Sequence, residues 1–238
     1  MHYIPLTLPF FLMLSFVFVF LIILIEIGVL QYAYEKIGIN RRHIFAVLLL
    51  SLFGSYINIP IAHLPAETMH SGRVVTFYGM RYVVPVVRNW PGTVIALNLG
   101  GALIPIVLSL YLLVKNRLYG RGLLAVAIVT LVVHLMAHPV RGVGIAEPTF
   151  IPPLMATGVA LLLSRQYAPP LAYIAGSLGT LIGGDLLNLG KIQGLGVPVA
   201  SIGGAGTFDG IFMTGILAVL LASIMSGNPT ASSSSAGQ

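Results

Sequence analysis

Apolar residues run for about twenty positions at a time in this chain, and short loops holding most of its lysines and arginines separate the runs. Such runs leave few conformations open. In hydrocarbon every backbone N–H and C=O must be satisfied within the protein, and a helix does this within one segment. Seven candidate runs lie over residues 6–34, 44–61, 93–114, 122–138, 151–164, 171–189 and 207–225, the fifth of them short. They predict an all-α membrane protein of about seven transmembrane helices. Residues 1–226 form a single polytopic domain on this reading, and the polar tail 227–238 (GNPTASSSSAGQ) is expected to be disordered. Charged residues make up 8% of the chain, against about 25% in soluble domains, so a soluble fold is excluded. The net charge of +6 is spread over inter-run loops, which implies the lipid bilayer as partner and no nucleic acid.

Loop charge sets the expected orientation. Lys36, Arg41 and Arg42 crowd one loop, and Lys115, Arg117 and Arg121 crowd the next but one. By the positive-inside rule both face the cytoplasm, with the N-terminus outside and the C-terminus inside. The first run lacks a basic leader and a small-residue cleavage site, so no cleavable signal is expected. Between the second and third runs the pattern changes. Residues 72–89 alternate Val, Tyr and Thr around Tyr78-Gly79-Met80, which predicts a small extracytoplasmic β-hairpin, with Pro85 confining its second strand to an edge. It is read as a cap over the helix ends or as a sheet edge open to an extended peptide.

Asp185 and Asp209 are the only aspartates, and each sits in a glycine-rich apolar segment. A carboxylate at a helix centre costs at least about 2.5 kcal/mol to insert, so such a group marks a functional site. With seven alternating runs, His63, Asn98, His134, His138, Asp185, Asn188 and Asp209 all fall at one side of the membrane. Arg141 and Glu147 lie in the loop after the fourth run. Asn58 and Asn98 read as interhelical hydrogen-bonding groups. Glu26, deep in the first run, reads as a paired or snorkelling acid.

Two carboxyls held close share a proton, the state in which one activates water and the other protonates a leaving group. Asp185 and Asp209 are therefore candidate catalytic acids, with His134 orienting water or a substrate carbonyl. Asn98, Asn188, Gly203, Gly204 and Gly206 are candidates for positioning substrate or backbone. His134 and His138, spaced i, i+4, share one face of a helix, and with His63 or a carboxylate they form a candidate zinc site. No glutamate follows His134, so the zincin motif is absent. The absence of cysteine removes disulfides, thiolate ligands and a cysteine nucleophile. Gly203, Gly204 and Gly206 precede the last run, as at a broken helix around an ion.

Paired aspartates on consecutive runs, the second after glycines, are similar to the presenilin and signal-peptide-peptidase arrangement of aspartyl intramembrane proteases. In that family glycine, any residue and glycine lead directly to the aspartate. Here Thr207 and Phe208 follow Gly206, and Gly184 rather than a tyrosine precedes Asp185. The segments APPLAYIAGSLGTLIGGDLLNL and SIGGAGTFDGIFMTGILAVLLA, with ALNLGGALIPI and HPVRGVGIAEP, resemble a prokaryotic integral membrane family, the domain of unknown function 1614. That resemblance implies a multi-pass protein of a bacterial or archaeal plasma membrane and transfers no activity. The expected function is a membrane-embedded hydrolase acting on a membrane peptide or lipid, which requires no cofactor. Two alternatives stand beside it: a proton- or cation-coupled transporter using the same acids, and a zinc-dependent hydrolase using His134 and His138.

Overall fold

Helices alternate with short strands in the computed structural model, which describes residues 16–20, 22, 35–39, 41–65, 67–68, 74–77, 80–83, 89–204 and 210–226. Helix α1 is Arg41–Gly54, followed by strands β1 (Asn58–Leu64), β2 (Glu67–Thr68), β3 (Val74–Phe77), β4 (Met80–Val83), β5 (Asn89–Trp90) and β6 (Thr93–Asn98). A first π turn (Leu99–Leu103) leads into α2 (Ile104–Lys115), and α3 is Tyr119–Met136. The hairpin β7 (His138–Val140) and β8 (Gly144–Ala146) precedes α4 (Ile151–Leu163). Helix α5 (Ala168–Thr180) continues into a second π turn (Leu181–Asp185) and a 3-10 turn (Leu186–Lys191). Strand β9 (Val199–Ile202) and helix α6 (Gly210–Met225) complete the order.

Local chemistry explains several boundaries. Helices α2, α4 and α5 each carry proline in the first turn, where the missing N–H has no partner to lose. Helix α3 stops at Met136 because Ala137 is extended, in keeping with the nearby Pro139, whose ring disfavours helix in the residue before it.

Helix α5 is the hub. It packs against α2, α3, α4 and α6, and Leu178 alone among its residues escapes full burial. Its small residues, Ala172, Ala175, Gly176 and Gly179, let four neighbours approach its backbone. The outer helices are apolar on their exposed faces: Leu123 is 72% exposed, Leu135 68% and Leu162 88%.

The expectation of an all-α chain with about seven transmembrane helices is corrected here. Among the described residues two helices are long and apolar enough to cross a membrane, Tyr119–Met136 and Ala168–Lys191. The helices Leu99–Lys115, Ile151–Leu163 and Gly210–Met225 are shorter; the 13 residues of α4 reach only about 20 Å. Nine strands also occur among the described residues, and β1 and β6 cut into apolar runs. Run 44–61 divides into α1 and the start of β1, and run 93–114 opens as β6, where Thr93, Val94 and Ile95 suit a pleated surface. Most of run 6–34, including Glu26, and the tail 227–238 lie outside the described residues. Within 72–89, β3 and β4 pair antiparallel from Val74↔Val83 to Phe77↔Met80.

A three-stranded sheet has the order β1-β6-β9, and its central strand leads directly into the first π turn. Strand β1 runs antiparallel to β6, with a bulge between Pro60 and Ala62, and β9 runs parallel to β6 on its other side. Asn98 ties this sheet to α1. Its Nδ2 donates to the Ser55 carbonyl at 2.7 Å and to Asn58 Oδ1 at 3.0 Å, while its Oδ1 accepts from the Gly101 N–H at 2.7 Å. Asn98→Ala leaves the buried Gly101 N–H and the Ser55 carbonyl without that partner and should cost about 2 kcal/mol. Denaturant unfolding in detergent checks this, with Asn98→Asp, which sets a carboxylate oxygen against the Ser55 carbonyl and Asn58 Oδ1 at a buried position, losing at least as much.

Candidate functional site

Each π turn contains a glycine pair, Gly100-Gly101 in the first and Gly183-Gly184 in the second. In both, another backbone lies close enough to exclude a side chain. A Cβ on Gly100 would stand 2.0 Å from the Ser51 carbonyl of α1, and one on Gly183 would stand 2.5 Å from the Thr130 carbonyl of α3. Widened turns of this kind recur at functional positions because they re-aim side chains and leave carbonyls without their usual donors.

Gly203, just after β9, sits between the two π turns. Its φ of +91° is a conformation that favours glycine, and a Cβ there would lie 2.6 Å from Ala102 of the first turn. Its N–H donates to Asp185 Oδ2 of the second turn at 2.7 Å. Ala102, Leu181, Ile202 and Ile211 close an apolar cluster around this junction.

Below Asp185 the chain winds as a 3-10 helix, whose side chains three apart eclipse. Asp185, Asn188 and Lys191 therefore form one column. Asn188 is fully buried. Its Nδ2 donates to the carbonyls of Gly183 and Gly184 at 2.8 and 2.9 Å, and its Oδ1 accepts from Lys191 Nζ at 2.8 Å. The asparagine supplies donors to two carbonyls at the irregular winding and joins them to an exposed cation.

Glu147 completes the site, and it was not among the candidates drawn from the sequence. It follows β8, and the β7–β8 hairpin folds it back onto the second π turn. A Cβ on Gly184 would lie 2.8 Å from Glu147 Oε2, and a Cβ on Gly210 would lie 3.0 Å from Glu147 Oε1. The carboxyl is thus held between the residue before Asp185 and the first residue of α6. Oε2 is enclosed and has no hydrogen-bond partner. Burial, and then the neighbouring Asp185 charge, pushes the Glu147 carboxyl up to about 8. One signal was present in the sequence: Glu147 is the only acid between Glu67 and Asp185.

A cleft of about 120 Å³ opens beside Asp185. Its walls include Val143, Ile145, Leu189, Ile192 and Val197, with Ser201 and Gly204 at the β9 side. Ser201 Oγ donates to Asn58 Oδ1 at 2.6 Å.

The structure thus brings Asp185, Asn188, Gly203 and Gly204 together. Asn98 lies in the neighbouring sheet network. Asp209 and Gly206 lie outside the described residues. The histidines do not share a helix face: α3 ends at Met136, so His134 is helical, whereas His138 lies in β7 opposite Ala146. His63 lies in β1 opposite Val94. Among the described residues no three His, Asp or Glu side chains gather as a metal site requires, so the zinc set of His134, His138 and His63 is not assembled there. His134 keeps a buried Nδ1 with no hydrogen-bond partner.

The model of a family described as a protein of unknown function, DUF1614, matches residues 52–221. The chain belongs to the DUF1614 family. The DUF1614 match takes in both π turns, Glu147, Asp185, Asn188 and Gly203. No curated protein and no solved structure matches the chain.

Proposed function

We propose that this DUF1614 protein is a membrane-embedded, proton- or cation-coupled carrier whose ion site is the carboxyl pair Glu147 and Asp185. Two helices of membrane-spanning length and the exposed apolar faces of α3 and α4 favour a lipid surround. The observation that carries the reading is the Glu147 carboxyl, enclosed beside Asp185 with Oε2 unpartnered. A buried acid that titrates near neutrality exchanges a proton at physiological pH, and a partner acid lining a cleft gives that proton a route to water. The break from α-helix through the π turn to the 3-10 turn fits the discontinuous helices that surround ion sites in carriers. The cleft, at about 120 Å³, is small for a peptide substrate.

The full chain reconstituted in vesicles with a pH-sensitive dye inside tests the reading. Under an imposed pH gradient, wild type should move protons, and Asp185→Asn and Glu147→Gln should each lower the rate at least about tenfold, the equivalent of 1.4 kcal/mol. Equal rates in wild type and both variants would overturn it.

A further inference from the structure

We propose that the cleft beside Asp185 binds a small organic ammonium ion, its charged head on the Asp185 carboxylate and its short alkyl part against the apolar wall. The inference rests on the reading of Asp185 as an ionisable site and adds the class of its cargo.

Three observations favour an alkylammonium over the other small ions. The first is the wall. Val143, Ile145, Leu189, Ile192, Val197 and Val199 line the cleft, whose surface divides about evenly between polar and apolar atoms, and among the described residues Asp185 is the one charged side chain there. A lining of both kinds around one carboxylate suits a ligand with a charged end and a short apolar part. Bare calcium or magnesium needs six or more oxygen ligands. Among the described residues the one side-chain hydroxyl in the lining, on Ser201, already donates to Asn58, and no three acid or histidine side chains gather.

The second is charge. An anion would meet the Asp185 carboxylate. Glu147, against Gly184, holds its proton at neutral pH because its carboxyl titrates at about 8, so the pair presents one negative charge to one positive head. The Gly203 N–H fixes one oxygen of Asp185 at 2.7 Å, so the carboxylate is positioned before a ligand arrives.

The third is size. The cleft, at about 120 Å³, is of a size that a small molecule enters and a folded chain or polymer does not.

Calorimetric titration of the purified full chain with methyl-, ethyl-, propyl-, butyl- and pentylammonium, and with sodium and potassium, tests this. Affinity should rise about fourfold per methylene, the equivalent of 0.8 kcal/mol each, and level off where the alkyl chain leaves the cleft. Asp185→Asn should abolish binding. If that variant misfolds, Ala200→Val, which narrows the cleft without touching Asp185, should weaken butylammonium at least fivefold more than methylammonium. Flat affinity along the series, binding of sodium or potassium instead, or no heat with any amine would each overturn the proposal. Proton movement in vesicles that depends on Asp185, with no ammonium binding, would reject the cargo and leave the ion site standing. Ammonium binding without such proton movement would do the reverse.

Discussion

Glu147→Gln should remove a slope in stability that the wild-type chain shows between about pH 4.5 and 8, the ordinary and the raised positions of this carboxyl. Below that window both the folded and the unfolded chain hold the proton, and Glu147 adds nothing to the pH dependence. Within it the unfolded chain releases the proton while the folded chain keeps it, so wild-type stability falls as pH rises. Above it both states are ionised and the loss is complete, at about 5 kcal/mol relative to acid pH. Glutamine keeps the shape and carries no titrating proton. Asp185 is the charged group that acts on Glu147, and it remains in both proteins, so the difference between them reports the Glu147 carboxyl together with its coupling to Asp185. Unfolding midpoints in detergent from pH 4 to 9 give the result. Parallel curves for wild type and variant would show that the Glu147 carboxyl titrates as an ordinary surface acid.

Gly100→Ala should be the most damaging single methyl in the described chain. A Cβ at Gly100 would lie 2.0 Å from the Ser51 carbonyl and 2.3 Å from the Ser55 nitrogen, both backbone atoms of the neighbouring segment. Neither can rotate away, so α1 must move off the first π turn. That movement breaks the bond from Ser51 Oγ to the Gly100 carbonyl, now 2.9 Å, and pulls on the Asn98 bond to Ser55. We expect a loss of about 4 kcal/mol or more, in the range where a substitution prevents recovery of folded protein. Gly158→Ala is the matched control. Gly158 lies in the middle of α4 and a Cβ there meets nothing within 4 Å, so the change should add up to about 1 kcal/mol through helix propensity. Yield and thermal midpoint of the two purified variants provide the comparison.

What could be read in advance follows the physics of each signal. Two of the seven apolar runs, 122–138 and 171–189, overlie the two long helices, because continuous apolarity at that length suits a buried or lipid-facing helix. At 93–98 the same apolarity belongs to a strand, since its pairing partners, Asn58–Leu64 and Val199–Ile202, are remote in sequence. A run of hydrophobic residues reports burial, and its conformation depends on who supplies the hydrogen bonds. Asp185 stood out because a lone acid among glycines and leucines is costly wherever it is buried. Glu147 looked like an ordinary loop acid, because only the fold of the β7–β8 hairpin sets it against Gly184. The histidine spacing misled for a local reason: it presumes a helix through residue 138, and the backbone turns extended at Ala137.

The parallel pairing of β6 with β9 also sets an order of events during synthesis. Val94 waits for Val199, roughly a hundred residues later, or about 5–20 s at ordinary translation speeds. Throughout that interval β6 can zip to β1, already made, while its other edge stays open and Asp185 lacks the Gly203 amide. The carboxylate therefore meets its fixed partner only after α2 to α5 have been made, so a chain stalled before residue 203 holds the acids without the junction that orients them.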